Sequence, residues 1–497
     1  MPNQRFKQRV MATAIGCLIA GASMLSIEHA IAAQTMELYV DQDTKQIFSE
    51  PGPNRVKMGA FKQVTDANGA ETAPVSAAGT GVSFAELEER LEEQKQLFES
   101  KLDQALARKD PATGRKKGWY ETMNMRGYIQ LRQNPIIGGD KTMPGRTTSI
   151  RHPADRSIGN DTNFLIRRAR LIFFGDVGER LSYYIQPDLA SSAGDTGGLA
   201  QLRDLYGDVY ITKDRVHRIR VGQSKIPYSF ENLQSSQNRI ALDRNDALNS
   251  CCRDERDLGA FYYYTPPEMQ EMFKYLVASG LKGSGNYGIF ALGVYNGTGA
   301  NRAENNDNMH VVSRFTYPWK FENGQIFEFG IQGISGTFRP PTSNANLVPA
   351  QFRSSGFKDQ RVGVHAVLYP QPFGIQAEWN WGRGPRLNDT ATLIEEKALN
   401  GGYVQFMYKA DNVMFLNENT GTWIPFVKWQ YFDGGQKFET NAPRNNVNDW
   451  EVGFEWEPTK ELEFVAYYSR VNRTNVNTAP FEKYKSDLLR MQLQYNF

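Results

Sequence analysis

The chain has 497 residues, with 57 basic against 55 acidic side chains, 12% aromatic residues and a mean hydropathy of −0.54. A near-neutral balance gives no general attraction for nucleic acid or anionic lipid, so any charge selectivity must come from placement. Beyond the amino terminus no apolar run is long enough for a membrane helix, but strands remain open, because a barrel hides its hydrophobicity in alternation.

Residues 1–33 read as a secretory signal: Arg5, Lys7 and Arg9, an apolar stretch from Val10 to Ile27, then the small residues Ala30-Ile31-Ala32-Ala33. Cys17 sits within an apolar run that continues through Leu18-Ile19-Ala20, so lipidation is not expected. Cleavage removes three of the 57 basic residues and one of the 55 acids (Glu28), leaving both at 54. Only Cys251 and Cys252 remain, expected as two free or separately packed thiols rather than a vicinal disulfide. The five histidines are scattered, which gives no zinc set, and no cofactor is implied.

Residues 34–82 form a short, poorly periodic lead, expected in the periplasm. Over 83–110 a helix is expected, with Ser83 as N-cap and Glu86 at the capping-box position. Phe84, Leu87, Leu91, Phe98 and Leu102 give a narrow seam near heptad spacing. One amphipathic helix docking on the remainder and a coiled coil both fit that seam.

From Trp119 to the end, 119–497, the period changes to two. Met123, Met125, Gly127, Ile129 and Leu131 alternate with Asn124, Arg126, Tyr128, Gln130 and Arg132. Leu205, Val209 and Ile211, and later Trp450, Val452 and Phe454, repeat the pattern. At the end, Leu489, Met491, Leu493, Tyr495 and Phe497 alternate with Arg490, Gln492, Gln494 and Asn496. One oily face and one polar face, repeated this often behind an export signal, predict an all-β antiparallel transmembrane barrel in the bacterial outer membrane. Roughly seventeen candidate strands are visible, and single-chain bacterial barrels use even numbers. The surplus falls in 258–282, where Thr265-Pro266-Pro267 interrupts the pattern. Sixteen strands are therefore expected, with short turns such as 458–460 and 369–372 at the periplasmic end. Segments 133–161, 339–357, 385–400 and 433–447 are expected outside. Sixteen strands leave an aqueous lumen. The long polar segment 226–257 is expected to fold inward and narrow it.

Inward parity collects the cations Arg126, Arg132, Arg168, Arg170, Arg218, Arg220, Arg361, Lys409, Lys428 and Arg490. The opposing acids are Asp188, Asp204, Asp208, Glu328, Glu378, Glu451 and Glu455. These sets nearly balance, so selectivity requires the arginines to gather on one wall near the inserted segment. Pairing with facing acids is the competing role for any single arginine. Arg167-Arg168-Arg170 cannot all be quenched by one local acid, although Arg167 has outward parity and suits the membrane boundary. An enzyme is not expected: His217 points outward and His365 inward, without a nucleophile elbow or a paired-histidine metal motif.

Several stretches resemble the phosphate-selective porin O and P family. They are Phe164-Leu165-Ile166-Arg167-Arg168-Ala169-Arg170-Leu171, Asp204 within Arg203-Asp204-Leu205-Tyr206, and Val221 to Phe230. Ser235-Ser236, Asp243-Arg244-Asn245, Arg253 to Gly259 and Tyr295-Asn296-Gly297 continue the match. The resemblance spans roughly 119–497 and implies a homotrimeric sixteen-stranded porin passing phosphate or other small anions. The candidate anion-binding and constriction set is Arg167, Arg168, Arg170, Asp204, Arg239, Arg244 and Arg253. One departure is plain: where the family's phosphate channels carry an arginine-dense loop, segment 339–357 offers only Arg339 and Arg353. A general or organic-anion porin is therefore the alternative, and a tether between outer membrane and cell wall a further one.

Overall fold

The computed structural model describes residues 35–41, 47–48, 55–62, 118–140, 158, 164–190, 200–252, 256–476 and 482–497. The signal segment, the 83–110 helix and Arg253 lie outside the described residues. Sixteen antiparallel strands close into a barrel. The first, β1, runs Asn124–Gln133 and resumes at Ile136–Gly139; Pro135, which lacks a backbone donor, stands in the gap. Next come β2 (Leu165–Asp176), β3 (Leu181–Asp188), β4 (Gln201–Tyr210), β5 (His217–Lys225) and β6 (Arg256–Tyr264). Then follow β7 (Phe290–Tyr295), β8 (His310–Lys320), β9 (Ile326–Phe338), β10 (Phe357–Leu368) and β11 (Phe373–Leu387). The circuit ends with β12 (Ile394–Tyr408), β13 (Thr422–Gly435), β14 (Arg444–Thr459), β15 (Leu462–Val476) and β16 (Glu482–Asn496).

Closure comes from β16 against β1, where Leu493 faces Leu131 and Gln494 faces Gln130. Phe497 completes the seam by exchanging backbone hydrogen bonds with Gly127, at 2.6 and 3.0 Å. A Cβ at Gly127 would meet the Phe497 ring at 2.6 Å, so only glycine admits that ring. Along every strand the alternation sorts side chains by solvent. Leu205, Val221, Leu258, Leu292, Ile331, Val362 and Val452 are exposed on the outside, while Gln130, Arg132, Thr316, Gln332 and Gln492 are buried inside. Against hydrocarbon each outward aliphatic group is favourable by about 1.5–3 kcal/mol relative to water, and a mid-wall cation there costs about 2–4 kcal/mol. Aromatic rings gather at one rim, with Trp423 stacked on Trp456 at 5.4 Å and Trp319 on Phe327 at 6.1 Å.

The strand count expected from the sequence holds, and several strands run further than the alternation does. Strand extends into segments 385–400 and 433–447: β11 reaches Leu387, β12 begins at Ile394, and the β13–β14 loop is only 436–443. Beyond the bilayer both faces meet water, so alternation fades while the hydrogen-bond ladder continues. The surplus strand in 258–282 is resolved too. After β6, helix α3 (Pro267–Ala278) begins behind Pro266 and buries Met269, Phe273 and Leu276. Two shorter helices interrupt the β5–β6 connection: α1 (Phe230–Leu233), capped by Ser229, and α2 (Asp246–Asn249), capped by Asn245.

The amino-terminal unit is separate. Where sequence suggests a lead without period, Thr35–Asp41 pairs antiparallel with both Ile47–Phe48 and Arg55–Lys62.

Candidate functional site

The β5–β6 connection lies inside the barrel and is held from both sides. Toward β10–β15, Tyr228 Oη donates to Asn380 (2.6 Å), and Ser229 Oγ and the Phe230 amide donate to Glu378 (both 2.9 Å). Lys428 donates to Glu231 (2.6 Å), Arg473 pairs with Asp246 (2.9 Å) and Arg361 reaches Ser250 Oγ (2.7 Å). Toward β16 and β1, Asp243 receives Arg490 at 2.6 Å and Arg132 at 3.3 Å. Tyr128 Oη bonds Ser236 at 2.7 Å, and Gln494 donates to the Gln237 carbonyl at 3.1 Å. Burial alone would raise the Glu231 carboxyl, yet Lys428 and Arg239 hold it below the ordinary glutamate range. These buried polar contacts fix one path for the segment, because each lost partner would leave a desolvated group. Cys251 and Cys252 on this segment are bonded to each other. This corrects the expectation of separate thiols: the α2 exit turns so tightly that the sulfurs meet in a buried cluster with Tyr228 and Leu248.

A second insertion comes from the other rim. Helix α3 packs its apolar face on Phe230, Ile326, Val367 and Tyr369, and so abuts α1 inside the barrel. The connection after it brings Lys282 onto Glu455 and Glu457. Glu455, Glu457 and Glu463 lie close enough together to suit a cation, and the Lys282 ammonium is the cation beside them.

The inward charges are unevenly placed. On β16 and β1–β6 stand Arg490, Arg126, Arg132, Arg168, Arg170, Arg218, Arg220 and Arg256, against Asp188, Asp204, Asp208 and Asp257. Across the lumen, β9, β11, β14 and β15 carry Glu328, Glu378, Glu451, Glu455 and Glu463. The cations on that side are paired: Arg314 with Glu328, Arg361 with Asp359, Lys428 with Glu231 and Arg473 with Asp449. Register sets the arginines of the first wall at successive levels: Arg126 faces Ile172, Tyr128 faces Arg170, and Gln130 faces Arg168. Two residues along a strand are about 6.6 Å, so the ladder offers an anion a cation at each short step. Several rungs are neutralised: Arg170 by Asp188 (2.7 Å), Arg220 by Asp208 (2.8 Å) and Arg256 by Asp204 (2.8 Å). Arg168 is not. Its guanidinium donates to Gln130 (2.7 Å), and among the described residues no carboxylate pairs with it. Its charged neighbours are Arg167, Arg170, Arg132 and Arg239. Arg126, likewise without a carboxylate among the described residues, touches Tyr184 and lies 5.8 Å from the Phe174 ring.

Between this wall and the two insertions is a cavity of about 310 Å³. Arg126, Arg170, Arg220, Lys225 and Arg256 line it, with Asp204 as the one acid. Tyr128, Tyr184, Tyr206 and Tyr287 supply rings, and Ile172, Leu233 and Val277 supply apolar surface. Lys225 donates to the Leu233 and Gln234 carbonyls at 3.1 and 2.8 Å, so its charge is solvated by backbone dipoles at the cavity edge.

Of the candidate anion-binding set, Arg170 and Asp204 line this cavity, beside the inward cations Arg126 and Arg220. Asp204 neutralises Arg256 and so tempers the site's charge. Arg168 stands one rung above. Arg167 is the extra residue of a β-bulge, since Gln130 pairs with Arg168 but Leu131 pairs with Ile166. Arg239 donates to the Ala241 and Leu242 carbonyls, and Arg244 to Asn232 and the Cys252 carbonyl, so both brace the inserted segment. Sequence reasoning misses Lys225, Arg256 and the tyrosines. Tyr184 and Tyr206 are visible there only as polar-face residues, and their juxtaposition needs the β3–β4 register. His365 is packed against Thr316, Gln332 and Glu328, a buried network rather than an accessible base.

A closed barrel with an apolar exterior, a charged interior and inward-folded segments has the architecture of an outer-membrane porin, which points to a channel. The sequence profile described as phosphate-selective porin O and P matches residues 148–497, and the chain belongs to that family. Among solved structures it is similar to the outer membrane channel DcaP of Acinetobacter baumannii, at 15% identity and a TM-score of 0.44. That alignment covers 78% of this chain and 99% of the other. It is also similar to Salmonella typhi OmpF in complex with daunomycin (13%, TM-score 0.45, 76% and 97% covered). A third is an anion-selective porin from Comamonas acidovorans (9%, TM-score 0.43, 76% and 99% covered). No curated protein sequence matches the chain.

Proposed function

We propose that this porin is an anion-selective passive channel that takes up phosphate and related small anions across the outer membrane. The observation that carries the reading is the one-sided arginine ladder, with Arg126 and Arg168 lacking carboxylate partners among the described residues. A weakly hydrated guanidinium can replace part of an anion's water shell without holding it, as conduction requires. In this reading the set Arg167, Arg168, Arg170, Asp204, Arg239, Arg244 and Arg253 shapes the constriction, directly or by bracing the 226–257 segment. Residues 1–33 direct export, the short-turn end and the amino-terminal segment face the periplasm, and the barrel works as a homotrimer. The test is the reversal potential of purified protein in planar bilayers under a tenfold KCl gradient. A value toward the chloride equilibrium potential supports the reading, and one toward the potassium potential overturns it.

One observation favours a porin without phosphate preference. Segment 339–356 packs on neighbouring loops through Val348, Phe357, Leu387 and Ala442, and Arg353 donates to its own Val348 carbonyl. Arg353 is therefore not a rung of the lumen ladder. Phosphate competing poorly with chloride current would favour this second reading.

A further inference from the structure

The insertion side of the cavity beside the ladder is lined chiefly by hydroxyls and amides. Ser235, Ser236, Gln237 and Asn238 come from the first insertion, and Ser284 and Asn286 from the connection after α3. Part of their hydrogen-bonding capacity is left unused by the fold. Among the described residues Asn238 is bonded through its backbone alone, its amide donating to the Ser235 carbonyl at 2.9 Å and its carbonyl accepting from Gln234 at 3.4 Å. The Asn286 side-chain oxygen accepts from Thr265 and Gly288, which leaves its N–H groups. The Ser284 hydroxyl lines the cavity without a hydrogen-bond partner among the described residues. Polar groups withdrawn from bulk water cost stability unless water or a ligand meets them.

The barrel side supplies the charge. Arg126 touches Tyr184, Arg220 lies over Tyr206 at 3.6 Å, and the two rings stack at 5.1 Å, so both guanidinium groups flank one short row of the wall. Arg126 pairs with no carboxylate among the described residues, and Arg220 gives Nε and Nη2 to Asp208, which leaves Nη1. A phosphate group, with several terminal oxygens, can engage two such donors at once. The volume, about 310 Å³, is the share of about ten liquid waters, more than one inorganic phosphate fills. A charged wall and a wall of unspent hydroxyls and amides suit an anion that carries its charge at one end of a hydroxylated body. We propose that this cavity is a subsite for phosphate monoesters of polyols. The phosphate meets Arg126 and Arg220, and the hydroxyls of the ester body bond to Asn238 and Ser284. The proposal rests on the anion-channel reading and names a preferred substrate class for it.

The experiment compares block of chloride current by glycerol 1-phosphate, by propyl phosphate and by inorganic phosphate, using the whole protein in planar bilayers. Glycerol 1-phosphate and propyl phosphate share their charged group and carbon chain, so their ratio isolates the hydroxyls. Glycerol 1-phosphate is expected to half-block at about fivefold lower concentration than propyl phosphate, and at lower concentration than inorganic phosphate. Asn238→Ala and Ser284→Ala should each shrink the ratio, and the double variant should bring it close to one. Neither change removes a charge or a hydrogen bond within the protein, and chloride current through inserted channels shows that each variant has folded. Equal block by the two esters in the unmodified protein overturns the subsite, as does stronger block by inorganic phosphate than by glycerol 1-phosphate, or a ratio that persists in the double variant. A cation-selective reversal potential instead overturns the underlying channel reading, so the two failures are distinguishable.

Discussion

Arg126→Ala tests the ladder with little risk to the fold, because the side chain is exposed and pairs with no carboxylate among the described residues. A sphere of the cavity's volume has a radius of about 4 Å, and with the radii of the ion and the lining atoms an ion at its centre is about 7 Å from a lining guanidinium. At that distance a unit charge in water-like dielectric contributes about 0.6 kcal/mol. Screening at 0.1 M salt reduces this to about 0.3 kcal/mol. Chloride loses this amount and potassium gains it, so the permeability ratio changes by twice the energy, about threefold. Reversal potentials of wild type and Arg126→Ala in the same salt gradient read the change directly. Arg339→Ala, which removes an exposed charge on the 339–356 segment, is the control and should shift the ratio by less than about twofold. An unchanged ratio in Arg126→Ala, or equal shifts in both variants, would refute the argument from the ladder.

Lys428→Met leaves Glu231, buried within the inserted segment, without its ammonium, which typically costs about 3–5 kcal/mol. Thermal unfolding should begin earlier and unitary currents become larger and noisier, with Lys428→Met/Glu231→Gln recovering much of both; quiet, unchanged channels would count against this anchor. Burial raises the Asp246 carboxyl to about 7, against the pull of Arg473 and with a further push from Asp449 and Asp243. The folded protein holds this proton more tightly than the unfolded chain. The resulting stabilisation of α2 is full below about 4 and is lost as pH rises through about 7. Current noise should therefore grow between about pH 5 and 8, and Asp246→Asn should flatten that trend. Deleting 34–110 should leave unitary conductance and selectivity unaltered, whereas loss of conduction would give that region a part in building the channel.

The wall is legible because lipid and water impose opposite demands on alternate residues. On β14, Trp450, Val452 and Phe454 mark the outer face, and Glu451 and Glu455 the inner one. Arg168 and Arg170 are legible as inward rungs for the same reason. What parity cannot give is which residues meet across strands, since that depends on register. The Tyr184–Tyr206 stack and the placing of Arg126 beside Tyr184 both follow from pairings that no single strand states. The bulge at Arg167 adds a residue to one strand only, so local parity misreads its position. Arg239 and Arg244 look like free lumen cations because sequence shows charge but not the carbonyls that receive it. Helix α3 is hidden because the apolar residues at its end, Tyr275-Leu276-Val277-Ala278, form a short run that suits a strand as well as a helix.

Ion substitution on single channels tests the central claim most directly. Replacing potassium with lithium at constant chloride should leave unitary conductance nearly unchanged, and replacing chloride with gluconate at constant potassium should collapse it. The reverse pattern, or bilayers that stay silent with well-folded protein, would contradict a lumen in which one arginine-lined wall carries the current.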